Sequence, residues 1–282
     1  MKIALGTAQW GLKYGISNQS EIPTDEALTN ILSIAKSAGI TLLDTASTYG
    51  DAETRIGQLS LNEFDIVTKI ITSDSKGLTN NQVRASIEAL NQETLYGVLF
   101  HDPNNLIENK RLWDELKQNK QEGKINKIGY SLYEPKQLDQ LLENDIIPDL
   151  VQLPFNVLDR KFEPYFTYLK ERRIEIHIRS IFLQGLLFKK GSELPERLIP
   201  LKPAIDRLHS LSEKFNESIL NICLGYVLQK ELIDYCIVGI DNENQLKEII
   251  NTNKFYPKGL IDEIEKIEVH QKEYLNPSKW QK

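Results

Sequence analysis

Cysteine is scarce in this chain: two thiols, Cys223 and Cys236, in 282 residues. Two thiols cannot build a disulfide framework or a four-ligand metal site, and both sit among apolar neighbours as core thiols would. Basic runs are missing too. Arg172-Arg173 and Lys189-Lys190 are isolated doublets, and a net charge of -6 argues against a nucleic-acid partner held by phosphate neutralisation. No apolar run approaches the roughly 18 residues of a membrane span. The opening Met1 to Thr7 reaches Gly6 too soon for a signal-peptide apolar region, so a cytoplasmic, reducing compartment without a membrane partner is expected. A Gly-rich dinucleotide turn is likewise absent, because Gly6-Thr-Ala-Gln-Trp-Gly11 lacks G-x-G-x-x-G spacing. Linkers, repeats and low-complexity segments do not occur, and nothing specifies an oligomeric state. What remains, 40% hydrophobic and 26% charged, is enough to bury a sizeable core.

The patterns alternate between strand and helix. Ile3–Gly6 reads as a strand, and Thr24–Ala38 places Ala27, Ile31, Ile34, Ala35 and Ala38 at helical spacing before Gly39. Ile40–Leu43 is a second strand ending on Asp44, with Tyr49 on the loop beyond. Further strands are expected at 65–71, 96–100, 125–131, 149–153, 174–180 and 235–239. Helices are expected at 52–59, 106–121, 134–142, 162–172, 203–215, 218–229, 243–250 and 260–270, and one more to about Leu90 opened by a Thr79-x-x-Gln82 capping box. The stretch 181–203 has no periodicity and is marked as a long, functional loop. Eight short strands, each followed by a helical segment, predict one α/β domain over 1–282, a (β/α)8 TIM barrel. A doubly wound open sheet is the runner-up. A barrel places its chemistry on residues that end strands.

Four such residues stand out: Asp44, Tyr49, Lys69 and His101. Asp44 follows four core residues and is costly to bury without a cation. Lys69 lies within an apolar strand, where its ammonium would seek that carboxylate from the neighbouring strand. A cation beside Tyr49 would lower the phenol from its usual value of about 10. His101 could share a proton with the same substrate oxygen.

These residues, with Leu5-Gly6-Thr7, Leu43-Asp44-Thr45-Ala46-x-x-Tyr49-Gly50, Lys69 after Val67-Thr68, and Leu99-Phe100-His101, resemble the aldo-keto reductase family over essentially the whole chain. The resemblance implies a nicotinamide-binding barrel reducing a small-molecule aldehyde or ketone. Tyr49 would be the general acid, Lys69 and Asp44 would tune it, and His101 would orient the carbonyl. It implies carboxamide binding by Ser131 and Gln152, with Leu132 where Asn is usual. The loop Ser180–Leu187, including Phe182, Leu183, Gln184 and Gly185, would wrap the pyrophosphate. The segment Gly239–Glu248, with Asp241 and Gln245, would receive the adenosine end at a helix N-terminus. There the family's usual Lys and Arg align with Gly239 and Gln245, Ile249 replaces an Asn, and Lys247 or Asn242 could serve instead. NADPH is the expected cofactor, with NADH as the alternative, and no metal is required. Trp10 and Phe155 are expected at the pocket rim, with the aromatic 274–280 segment beside them. The style of Gly6–Gly11 and Arg179–Gly185 is similar to bacterial members acting in sugar and polysaccharide metabolism, which points to a keto sugar or aldose. Two competing readings are a cofactor-sensing regulatory subunit and a barrel aldolase or isomerase with Lys69 as a Schiff-base amine.

Overall fold

The computed structural model describes residues 2–280 except 17, 19, 20, 60, 62, 73–77 and 253–256. Eight parallel strands close into a barrel in sequence order: β1 (Lys2–Gly6), β2 (Leu42–Asp44), β3 (Asp65–Ile70), β4 (Leu95–Phe100), β5 (Ile125–Ser131), β6 (Leu150–Pro154), β7 (Glu175–Arg179) and β8 (Tyr235–Gly239). β8 pairs back onto β1 from Lys2↔Tyr235 to Gly6↔Gly239, so the sheet has no free edge. The (β/α)8 expectation holds and the open sheet is excluded.

The outer helices are α1 (Ala8–Gly11), α2 (Asp25–Ser37), α3 (Ala52–Gln58), α4 (Leu78–Leu90), α5 (Lys110–Gln121), α6 (Pro135–Glu143), α7 (Phe166–Glu171), α8 (Lys202–Phe215), α9 (Ile219–Leu228), α10 (Glu243–Ile250) and α11 (Leu260–Glu265). α2 shows the local logic. Thr24 Oγ1 accepts from Ala27 N at 3.2 Å, Asp25 and Glu26 complement the helix dipole, and Leu28, Ile31, Leu32 and Ala35 face the sheet.

Several boundaries differ from the periodicity for identifiable reasons. Thr79 lies inside α4 rather than capping it, and the Gln82 amide instead bonds both Ile71 N and Ile71 O at 3.0 Å, closing the exposed end of β3. α5 begins at Lys110, not Leu106, because the Asp102 carboxylate holds Asn104 N at 3.0 Å and the chain is still turning there. α11 ends at Glu265, not His270, where the Arg160 guanidinium takes the carbonyls of Ile264 and Ile267 at 3.1 and 2.8 Å. The segment at 162–172 opens as a 3₁₀ turn, Glu163–Tyr165, before α7. The aperiodic stretch after β7 folds as three 3₁₀ turns, at Leu186–Phe188, Gly191–Glu193 and Glu196–Leu201.

Two apolar cores result. The larger fills the space between barrel and helices, and a smaller one inside the barrel contains Ala4, Leu42, Val67, Leu99, Leu150, Tyr235 and Ile237. Side chains alternate along a strand, so a residue two positions past an interior one also faces the barrel axis, closer to the mouth. Stepping two residues up from Leu42, Val67, Leu99, Leu150 and Ile237 reaches Asp44, Lys69, His101, Gln152 and Gly239. The same step from buried His177 reaches Arg179. The apolar layer thus forms the floor beneath a polar mouth at the C-terminal ends of the strands.

Candidate active site

The mouth opens into a cleft of about 530 Å³. Asp44 and Lys69 form its base, 3% and 1% exposed, with Lys69 Nζ 2.6 Å from Asp44 Oδ2 and 2.8 Å from Thr45 O. The second Asp44 oxygen accepts from Gln152 Nε2 at 2.7 Å. Each expected need of this buried pair is therefore met by the other. Backbone clamps keep it in register. Thr7, from the Leu5-Gly6-Thr7 motif, donates both its N–H and its hydroxyl to Asp44 O at 2.9 and 3.1 Å, and Ser47 does the same to Lys69 O, both at 3.0 Å.

Tyr49 is half-buried above the pair, with Lys69 Nζ 5.1 Å from its ring centroid and the His101 ring edge-on at 5.9 Å. Its loop is seated by direct backbone contact. A Cβ on Gly11 would lie 1.9 Å from Tyr49 O, and one on Gly50, at φ +60°, would lie 2.3 Å from Gly11 O. Both glycines of the Trp10-Gly11 and Tyr49-Gly50 pairs thus position the phenol.

The electrostatics correct one expectation. The Tyr49 phenol is raised above its ordinary value, first by burial and then by the Asp44 carboxylate. The Arg179 charge opposes this rise without reversing it, and burial itself pushes the Lys69 ammonium below its usual range. His101 falls to about 3 through burial, with the Lys69 and Arg179 charges adding to the effect. It is a neutral imidazole whose Nδ1 lies 3.2 Å from Thr48 Oγ1.

Of the expected residues, Asp44, Tyr49, His101, Gln152, Ser180, Phe182, Gln184, Gly185, Gly239, Asp241, Gln245 and Glu248 line the cleft. Lys69 lies under it. Leu183 is buried in the loop core, and Ser131 is covered by the Arg179 side chain, whose Nε lies 3.4 Å from Ser131 Oγ. Trp10 and Phe155 are not at the rim. Trp10 is buried against the barrel wall, and Phe155 stacks on Tyr226 at 6.0 Å and meets Phe166 edge-on. Trp280 is buried as well, its Nε1 donating to Tyr274 O at 2.9 Å.

The loop after β7 has a shape suited to an extended ligand. Ser180, Leu183, Gln184 and Gly185 all adopt positive φ within six residues, a strained cradle along one wall. Beyond it, Asp241 accepts from Asn18 Nδ2 at 2.9 Å and from Gln245 Nε2 at 3.3 Å. The N–H groups expected there for phosphate are partly consumed: Asp241 N donates to Gln245 Oε1, and Gln245 N to Asn242 Oδ1. Lys247 pairs with Glu243 at 3.3 Å and does not line the cleft.

Arg179, Tyr14, Asn18 and Tyr133 also line the cleft and were not anticipated. The alternation signal was available for Arg179, two residues beyond an interior position of β7. Tyr14 and Asn18 carry no comparable signal, because they arrive on the irregular loop after α1.

A closed parallel barrel with a buried Asp–Lys pair under a Tyr and a neutral His defines a barrel oxidoreductase. Residues 2–271 match the model of the Aldo/keto reductase family, and the chain belongs to that family as an NAD(P)H-dependent enzyme. An uncharacterized oxidoreductase of Schizosaccharomyces pombe is 29% identical over 210 residues, 70% of each chain. The aldo-keto reductase YhdN of Bacillus subtilis is 23% identical, over 87% of this chain and 81% of its own. Among solved structures, the fold is similar to the aldo-keto reductase AKR11C1 of Bacillus halodurans in its holo form, with TM-score 0.73, 19% identity, and 94% and 91% of the two chains covered. It is also similar to the glycerol dehydrogenase AKR11B4 of Gluconobacter oxydans, with TM-score 0.70, 21% identity and 93% and 90% coverage. No helix among the described residues is long and apolar enough to cross a membrane, and no group of metal-ligating side chains occurs among them.

Proposed function

We propose that the protein reduces an aldehyde or ketone to an alcohol, with Tyr49 as the proton donor and NADH as the preferred reductant. The observation that carries the first part is the Asp44–Lys69 pair sealed beneath a phenol that keeps its proton at neutral pH. A bound reduced nicotinamide supplies hydride to the carbonyl carbon. Tyr49 donates its phenolic proton to the carbonyl oxygen, and the Arg179 charge, which already opposes the rise of the phenol, favours the negative charge left on it. Neutral His101, its Nδ1 3.2 Å from Thr48 Oγ1, can present an Nε2 proton to the same oxygen in the tautomer in which Thr48 donates to Nδ1. Gln152 fits the amide end of the cofactor: its Oε1 is buried without a partner while its Nε2 is held on Asp44, leaving an acceptor for a carboxamide N–H. Lys69 is poorly placed as a Schiff-base amine, because it lies under the cleft and its Nζ is engaged twice.

The cofactor preference rests on the adenosine end. Asp241 and Glu248 line it, and among the described residues no Lys or Arg does. A 2'-phosphate would bring further negative charge against two carboxylates, whereas a free ribose diol can donate to Asp241. This reading favours NADH over the NADPH that the family resemblance implies, for that charge reason.

The test is titration with NADH and NADPH separately, followed by emission of the bound reduced nicotinamide. NADH binding at least tenfold tighter supports the reading, and Asp241→Ser should narrow the gap; tighter NADPH binding would refute it. Tyr49→Phe should abolish aldehyde-dependent NADH oxidation while retaining cofactor binding. Retained turnover would remove Tyr49 from its role.

A further inference from the structure

Arg179 is the only cation among the described residues that line the cleft, and no carboxylate among them lies within ion-pair distance of it. Its side chain crosses the mouth from the end of β7 to the end of β5. There Nη2 donates to Leu132 O at 3.0 Å, Nη1 to Ser180 Oγ at 3.2 Å, and Nε approaches Ser131 Oγ at 3.4 Å. The guanidinium lies over the Tyr133 ring at 4.4 Å. β4, which carries His101 past its end, is the next strand round from β5. A cation is therefore held rigidly on the His101 side of the cleft by neutral groups alone.

A half-buried charge with no counter-ion is costly, and the other charges of the mouth do not relieve it. Lys69 and Asp44 cancel each other, His101 is neutral, and Asp241 and Glu248 line the far end, with Gln245 and Asn18. The missing anion would then come with a ligand. Three of the five guanidinium N–H groups are used, which leaves one on each terminal nitrogen. Two N–H groups in one plane match the two oxygens of a carboxylate, and a lone guanidinium neutralises one negative charge rather than the two of a phosphate.

We propose that Arg179, backed by Tyr133, is a carboxylate-binding site, so that the substrate is an aldehyde or ketone bearing a carboxylate within reach of its carbonyl. This rests on the reductase reading above and narrows its aldehyde or ketone to acidic carbonyl compounds.

The experiment uses the full chain with NADH and compares 4-carboxybenzaldehyde with its neutral isostere 4-formylbenzamide, with glyceraldehyde 3-phosphate as a third arm. The carboxylate should be preferred in kcat/KM by about ten- to a hundredfold, the range of one charge-assisted bidentate contact. The preference should lie in KM, collapse to near unity in Arg179→Met and survive in part in Arg179→Lys, which keeps charge without the fork. Equal use of acid and amide by the wild-type protein overturns the proposal. So does a preference for the phosphate, or a loss of NADH affinity in Arg179→Met with the acid preference intact, which would give the guanidinium to the cofactor.

A second measurement separates this proposal from the reductase reading. Binding of 4-(hydroxymethyl)benzoate to the NADH-loaded protein is measured by calorimetry beside the corresponding amide. Arg179-dependent binding of the acid without any turnover would keep the anion site and refute the reductase. Turnover without that binding difference would do the reverse.

Discussion

Replacing Lys69 by Met tests the arrangement most directly. The side chains are similar in volume and Lys69 is 1% exposed, so the substitution leaves no large void and removes chiefly the charge. Asp44 then keeps a single neutral donor, Gln152 Nε2 at 2.7 Å, in place of a cation at 2.6 Å. Removing one partner of a buried pair costs about 3–5 kcal/mol, because the remaining carboxylate has lost its counter-charge in a medium that hydrates it poorly. Urea unfolding at pH 7 should show that loss. The carboxylate left behind is relieved by taking up a proton, so folding binds a proton that the unfolded chain does not. The deficit is then complete at neutral pH and shrinks as the pH is lowered toward 4. The double variant Asp44→Asn with Lys69→Met buries no charge and should unfold within about 1–2 kcal/mol of the wild type, and with Asp44→Asn alone completing the cycle the coupling should come to several kcal/mol. A single-variant loss below about 1 kcal/mol, or one indifferent to pH, would mean that the pair is not sealed from water and that the account of Tyr49 built on it is wrong.

Because burial and Asp44 raise the Tyr49 phenol, carbonyl reduction should be flat from pH 6 to 8, whereas alcohol oxidation, which needs the deprotonated phenol, should climb steadily above pH 8; steady-state rates in both directions over pH 5–10 check this. His101, at about 3, should contribute no step near its ordinary value, and a reduction limb at pH 6–7 lost in His101→Gln would contradict its neutral state. Gly11→Ala puts a Cβ 1.9 Å from Tyr49 O and should lower kcat/KM by about a hundredfold through displacement of the phenol, while circular dichroism still reports a folded barrel. Arg160→Ala should cost about 1–3 kcal/mol in thermal or urea unfolding by leaving the Ile264 and Ile267 carbonyls without their shared donor.

Much of this architecture is legible in the sequence. The barrel follows from the spacing of eight apolar segments, since each is too short for a helix and each is followed by a helical period. Asp44 and Lys69 could be paired from sequence alone because they lie near the C-terminal ends of adjacent strands, where a carboxylate and an ammonium each need the other. Helix ends were less legible: α11 stops five residues short of the periodic pattern because Arg160, more than a hundred positions away in the chain, intercepts its last carbonyls. The Thr79-x-x-Gln82 pattern failed for the same kind of reason, as Gln82 found a better use bonding Ile71. Trp10 and Phe155 followed strand ends and so looked exposed, yet both rings turn into the helix–barrel layer.

Sequence by itself determined which residues face the barrel axis, because the alternation of a strand is a property of its own backbone, and that alone brings Asp44, Lys69, His101 and Gln152 to one mouth. Tertiary structure decided what those groups are chemically. Tyr49 keeps its proton because the folded mouth buries the phenol and sets the Asp44 carboxylate near it. Arg179 has no counter-ion among the described residues because it reaches past β6 to rest on neutral groups at the end of β5. Proton affinities and uncompensated charges are set by distances between segments remote in the chain, and no local pattern of residues contains those distances.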